Sequence, residues 1–139
     1  MMDEDLPHVL EIERTSFPSP WTEAAFLQEI HKHYAFSQVA EAGQKVIAYI
    51  CVNYLLDEGH ILNLAVHPGF RRQGIATVLM KDALDTLEKK GCRFLYLEVR
   101  VSNLAARTFY ERFGFSVVAF RKRYYISPEE DAALMTLEI

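Results

Sequence analysis

Only two cysteines stand among the 139 residues, Cys51 within an apolar stretch and Cys92 just after a helical one. Thiols so placed make neither a metal spacing nor a framework of bridges, and both are expected to be buried in a reducing compartment. The five histidines show no ligand spacing, so no metal is expected. Long apolar runs are missing too. Nothing approaches the roughly 18 residues of a membrane span, and the opening Met1-Met2-Asp3-Glu4-Asp5 is acidic where a secretory leader is basic. No membrane partner is expected, and a cytoplasmic location follows by default. Basic charge is also short: a net charge of −4 gives no footing for direct nucleic-acid binding. Neither a Gly-Lys-Ser/Thr phosphate loop nor a G-x-G-x-x-G run occurs, which removes the P-loop nucleoside-triphosphatase and Rossmann readings.

What remains is an ordinary globular composition, half apolar and about a quarter charged. The length suits one domain, residues 1–139, as a monomer or weak dimer. Helical spacing runs from Leu6 to Phe17 and from Trp21 to Lys32, with Ser19 as N-cap and Pro20 at the first helical position of the second. Strand patterns cover Ala35 to Ala40, Val46 to Leu56 and Ile61 to Val66, joined by turns at Ala42-Gly43-Gln44 and Asp57-Glu58-Gly59. From Ile75 the period becomes helical, with Leu79, Ala83 and Leu87 on one face and Gly91 closing the helix. Phe94 to Val99 is apolar on both faces, hence a central strand, parallel to the one ending at Val66 because a helix intervenes. A helix from Asn103 to Phe113 and strands from Phe115 to Tyr125 and Ala132 to Ile139 follow, the last two joined by Ile126 to Asp131. The class is α/β (α+β), a mixed central sheet flanked by helices.

Between Val66 and Ile75 the chain breaks at Pro68-Gly69 and crosses Arg71-Arg72-Gln73-Gly74 before running straight into a helix. The first turn of a helix carries amides without intrahelical partners and a partial positive charge, so it suits a phosphate. Gly74 places no side chain between such an anion and the amides, Ala76 keeps the turn open, and Arg71 and Arg72 add charge at the rim.

The string Arg71-Arg72-Gln73-Gly74-Ile75-Ala76 resembles the Q/R-x-x-G-x-G/A signature of the GNAT superfamily of N-acetyltransferases, which holds the pyrophosphate of acetyl coenzyme A. The order of elements resembles that fold over nearly the whole chain, with the family's usual first strand apparently missing. The resemblance implies acetyl-CoA as cosubstrate, contacted by Leu64, Ala65, Val66, Arg71, Arg72, Gln73, Gly74, Ile75, Ala76, Thr77 and Asn103, with the Val66 amide facing the oxyanion.

Glu98 is the odd residue of an otherwise apolar strand, either turned to water, paired with Arg100, or a general base whose pKa burial raises. Tyr110 lies on the apolar stripe of its helix, where packing is the plain reading. Yet Asn103-Leu-Ala-Ala-Arg-Thr-Phe-Tyr110-Glu-Arg-Phe-Gly114-Phe115 resembles the motif these acetyltransferases use for the pantetheine arm and the thiol. Phe17-Pro18-Ser19-Pro20-Trp21, Leu62 to Val66, Leu97 to Asn103, Tyr124-Tyr125 and Glu130-Asp131-Ala132 together look like the RimI-type ribosomal-protein alanine N-acetyltransferases. That likeness implies Glu98 as base, Tyr110 as acid, and as partner a protein N-terminus, in particular that of a small-subunit ribosomal protein. A lysine or small-molecule amine acetyltransferase and a non-catalytic coenzyme A binding module stay open as alternatives. Trp21, Phe26 and Tyr34 are expected to pack the helical pair, or one of them to line an acceptor groove. Asn63 is expected to be satisfied within its strand, and His67 to be a loop residue.

Overall fold

A computed structural model describes residues 1–139. After a short 3-10 turn come α1 (Leu6–Ser16), α2 (Glu23–Ile30), β1 (Ala35–Ala42), β2 (Lys45–Leu55), β3 (Glu58–Val66), α3 (Ile75–Lys89), β4 (Phe94–Arg100), α4 (Leu104–Arg112), β5 (Ser116–Ile126) and β6 (Glu129–Glu138). The strands form one sheet in the order β1-β2-β3-β4-β6-β5. All neighbours are antiparallel except β3 and β4, which are parallel as the intervening helix requires. No strand precedes α1 within these residues, and β1 forms one edge of the sheet.

Strand β2 is buried on both faces, and its period of two divides the core. Ala48, Ile50 and Val52 join α3 (Leu79, Met80, Ala83, Leu87) and the central strands in one cluster. Tyr49 and Cys51 face the other way, against Leu6, Val9, Leu10 and Ile12 of α1 and Phe26 of α2. Both cysteines are free and buried, and burial pushes the Cys51 thiol up to about 12, which leaves it inert at neutral pH.

Most element ends differ from the sequence reading by one or two residues, and three element starts differ with structural consequence. Helix α2 begins at Glu23, capped by the Thr22 hydroxyl, which accepts from the Ala25 amide at 3.2 Å. Ser19 is therefore not the cap and Pro20 is not helical; Ser19 instead donates its hydroxyl to the Ser127 carbonyl. Strand β6 begins at Glu129, three residues early, because β5 and β6 meet through a two-residue connection, Ser127-Pro128, rather than a loop. Strand β3 likewise starts at Glu58, and its added residues set the geometry of the site. They are the ones that pair with β4, at Glu58↔Phe94, Gly59↔Leu95 and His60↔Tyr96, after which the two strands part. A Cβ on Gly59 would stand 2.6 Å from Leu95 Cδ2, so any side chain here would force the buried Leu95 to shift where β3 pairs with β4.

Candidate active site

Beyond His60 and Tyr96 the edges of β3 and β4 face each other without ladder bonds. In the β2 register the His67 amide donates to the Ile47 carbonyl at 2.7 Å, so Val66, paired with Ala48, turns its own amide and carbonyl toward β4. Arg71 uses the carbonyl so freed, donating from Nε to Val66 O at 3.0 Å while an Nη reaches Ser16 Oγ at 3.2 Å. Arg71 thus ties the end of β3 to the end of α1 as well as carrying charge at the rim.

Two cavities open at this gap. One, of about 710 Å³, lies over the start of α3 and is bordered by Leu64, Ala65, Val66, Arg71, Arg72, Gly74, Ile75, Ala76, Thr77 and Asn103, which are all the expected cofactor contacts except Gln73. None of the amides of Ile75, Ala76 and Thr77 has a backbone acceptor, as the first turn of a helix dictates. Gly74 caps the helix in the left-handed region at φ 79°, with no atom within 4 Å of a would-be Cβ, so an anion meets bare main chain there. Arg72 is also left-handed at φ 63°, a conformation that costs a non-glycine residue about 1 kcal/mol or more and that recurs where backbone amides are aimed at a ligand. Free amides, a flanking guanidinium and an unobstructed turn suit the pyrophosphate of acetyl-CoA.

The second cavity, of about 300 Å³, lies on the other side of the gap, among Glu13, Phe17, Trp21, His60, Leu62, Asn63, Glu98, Tyr124 and Tyr125. The two cavities share Ser16, Phe17, Leu64, Asn103, Ala106 and Tyr110. Asn103 caps α4, its side chain accepting from the Ala106 amide at 3.1 Å. Tyr110 is buried at the junction, packed edge-on against Phe109 and Phe115, and its hydroxyl has no hydrogen-bond partner within the protein. Burial pushes its pKa above the phenol range, so the O–H proton stays in place near neutrality.

Glu98 is largely buried and belongs only to the smaller cavity. It does not pair with Arg100, which instead binds Glu130 at 3.3 Å and covers the Tyr125 ring at 4.3 Å. Its partners are His60, whose Nε2 lies 2.7 Å from Oε2, and Arg121 at 4.0 Å. The expectation of a raised pKa is overturned here. Burial does push the Glu98 carboxyl up, but the His60 hydrogen bond and charge, with that of Arg121, pull it further down, leaving it below the usual carboxylate range. The His60 ring is itself fixed by stacking on Tyr96 at 4.2 Å between centroids.

Among the aromatic candidates, Phe26 is fully buried and Trp21 packs against it at 5.1 Å while bordering the smaller cavity; Tyr34 stays on the surface beside His33. Asn63 donates to Glu13 at 3.0 Å rather than being satisfied within its strand. His60, Arg121 and Glu13 are absent from the sequence reading. Nothing local announces the first two, but Glu13 follows Leu6, Val9 and Leu10 at helical spacing, a carboxylate where the apolar stripe calls for another hydrophobe.

A gap between parallel strands with an anion-binding helix start on one side and a carboxylate pocket on the other defines an acyltransferase site. The chain belongs to the acetyltransferase (GNAT) family, whose profile matches residues 6–115. It is 38% identical to the [ribosomal protein bS18]-alanine N-acetyltransferase of Escherichia coli strain K12, over 97% of this chain and 92% of that protein. The crystal structure of the ribosomal-protein-S18-alanine N-acetyltransferase from Escherichia coli superposes with a TM-score of 0.91 at 34% identity, covering 100% of this chain and 90% of that one. The Ard1 structure from Thermoplasma volcanium gives 0.95 at 28% identity, covering 100% and 94%.

Proposed function

We propose that the chain transfers the acetyl group of acetyl-CoA to the α-amino group at a protein N-terminus, by direct attack of the amine on the thioester. The observation that carries this reading is the junction: a main-chain anion site and a carboxylate pocket meet at one unpartnered, protonated phenol, Tyr110. Acetyl-CoA supplies an activated acyl carbon and a thiol leaving group. The α3 amides and Arg72 hold its pyrophosphate, and the Val66 amide, turned into the gap, stabilises charge on the acyl oxygen. Glu98, ionised and held by His60, draws in the substrate ammonium and takes up its proton, directly or through water. Tyr110 then protonates the departing sulfur.

The weakness of this base favours an α-amine. With a pKa of about 7.8 an α-amino group is roughly 15% neutral at pH 7, whereas a lysine at about 10.4 is only about 0.04% neutral. A carboxylate below its usual range suits the first and is poorly matched to the second. The relatives named for ribosomal-protein alanine acetylation support a ribosomal protein N-terminus as the acceptor. Neither cysteine is among the lining residues of either cavity, which supports direct transfer over an acetyl-enzyme.

The test uses two matched peptides, one with a free N-terminal alanine and no lysine, the other N-terminally blocked with an internal lysine. Mass spectrometry should find the acetyl group on the α-amine of the first and almost none on the second. Equal modification of both would refute the acceptor assignment.

A further inference from the structure

Four parts of the chain converge on one buried carboxylate. Glu13, on the last turns of α1, is 1% exposed. Its Oε2 accepts from the Trp21 amide at 2.8 Å, and its Oε1 accepts from Asn63 Nδ2 of β3 at 3.0 Å and from the Tyr49 hydroxyl of β2. No lysine, arginine or histidine pairs with it, although removing a carboxylate from water without a counter-charge is costly. An apolar residue at this point of the α1 stripe would fill the same volume without that cost. Burial accordingly pushes its pKa up, against the three hydrogen bonds.

What the carboxylate secures is the stretch between α1 and α2. Phe17, Pro18, Ser19 and Trp21 all border the smaller cavity. The other hydrogen bonds of this stretch run from the Phe17 amide to the Glu13 carbonyl at 3.1 Å and from Ser19 to Ser127, while the Phe17 and Trp21 rings pack on the core between α1 and α2. One residue therefore fixes both ends of the wall, through its main chain at Phe17 and its side chain at Trp21, and joins them to the β2–β3 floor. We infer that Glu13 is a positioning residue for the acceptor: its carboxylate sets the Phe17–Trp21 wall that receives the substrate peptide. The inference rests on reading this cavity as the acceptor pocket.

Trp21 is the single tryptophan, so its emission reports the wall directly. Glu13→Ala leaves three donors without an acceptor. Glu13→Gln retains an oxygen for the Trp21 amide, while its NH₂ faces the Tyr49 hydroxyl and an Asn63 amide able to turn over. With acetyl-CoA saturating, Glu13→Ala should raise peptide KM about tenfold or more, keep kcat within about threefold, and leave acetyl-CoA Kd unchanged. Trp21 emission should shift to the red, and Glu13→Gln should restore most of both properties. An unchanged peptide KM in folded Glu13→Ala overturns the inference, as does a parallel loss of kcat and of both affinities that Glu13→Gln does not repair. Should the alanine variant fail to fold, wild-type amide exchange decides. The Trp21 amide should exchange about 100-fold more slowly than an unprotected amide, and unprotected exchange there overturns the inference. A wild type that acetylates no peptide would sink the acceptor reading instead, and exchange and emission would still report whether Glu13 holds the wall.

Discussion

The two halves of the site are built from different materials. The larger cavity, read as the cofactor side, takes its anion site from one continuous stretch, Leu64 through Thr77, where main-chain amides that any residue supplies are kept open by Gly74 and flanked by Arg72, with α4 as the facing wall. The acceptor side is made of side chains from α1, β3, β4 and β5, brought together only by the tertiary fold. A ligand common to many proteins is met by backbone, whereas the variable ligand is met by residues that can change one at a time. Tyr110, on α4, belongs to both.

The variant that separates the halves most strongly is Glu98→Gln. It should lower kcat by roughly 10² to 10⁴, with acetyl-CoA affinity by calorimetry unchanged because Glu98 does not touch the larger cavity. A loss of cofactor binding in that variant would break the division. Gly74→Val is its mirror image: a β-branched residue forced to φ 79° and a side chain over the amides should weaken acetyl-CoA binding about 100-fold or more while the sheet stays folded. Unchanged affinity in a folded Gly74→Val protein would remove the anion site. Tyr110→Phe keeps the ring, so thermal stability should barely move while single-turnover acetyl transfer slows about tenfold or more. A wild-type rate would return this tyrosine to the core.

Smaller effects sharpen the acceptor side. Glu98 has a folded-state pKa below its ordinary 4.5, so its contribution to stability is complete above about pH 4.5 and is lost as pH falls through the lower folded value. Denaturant midpoints measured from pH 7 downward should therefore fall more steeply in the wild type than in Glu98→Gln. Parallel curves would show that the pull of His60 and Arg121 on Glu98 is weaker than the geometry implies. Gly59→Ala, which drives a Cβ onto Leu95 where β3 and β4 still pair, should cost about 1–3 kcal/mol in equilibrium unfolding.

The same contrast decides what the sequence could tell. The open helix start at Gly74 was legible because strand, turn, glycine and helix are consecutive, and the first turn of a helix leaves its amides free whatever surrounds it. Nearly every element followed from periodicity for a related reason, since an amphipathic helix or a doubly apolar strand records its own burial. Legibility failed where distant residues decide. The pKa of Glu98 was misjudged because burial can be guessed from a strand pattern, while a histidine 38 residues away cannot. The start of β3 is not marked in the sequence, since Glu58, Gly59 and His60 carry no strand pattern; they are strand because β2 and β4 pair with them on either side. Ser19 has the chemistry of a cap, but Thr22, three residues on, sits where the helix begins.

The account stands or falls on whether the two cavities act as one site joined at Tyr110, and a single ligand can measure that. A peptide beginning with alanine, covalently joined through its α-nitrogen and an acetyl linker to the sulfur of coenzyme A, would occupy both at once. Calorimetry should give it an affinity about 100-fold or more above that of coenzyme A alone, with the excess lost in a Glu98 variant and the coenzyme A affinity itself retained. An affinity no better than that of coenzyme A would mean that peptide and cofactor do not meet in this gap.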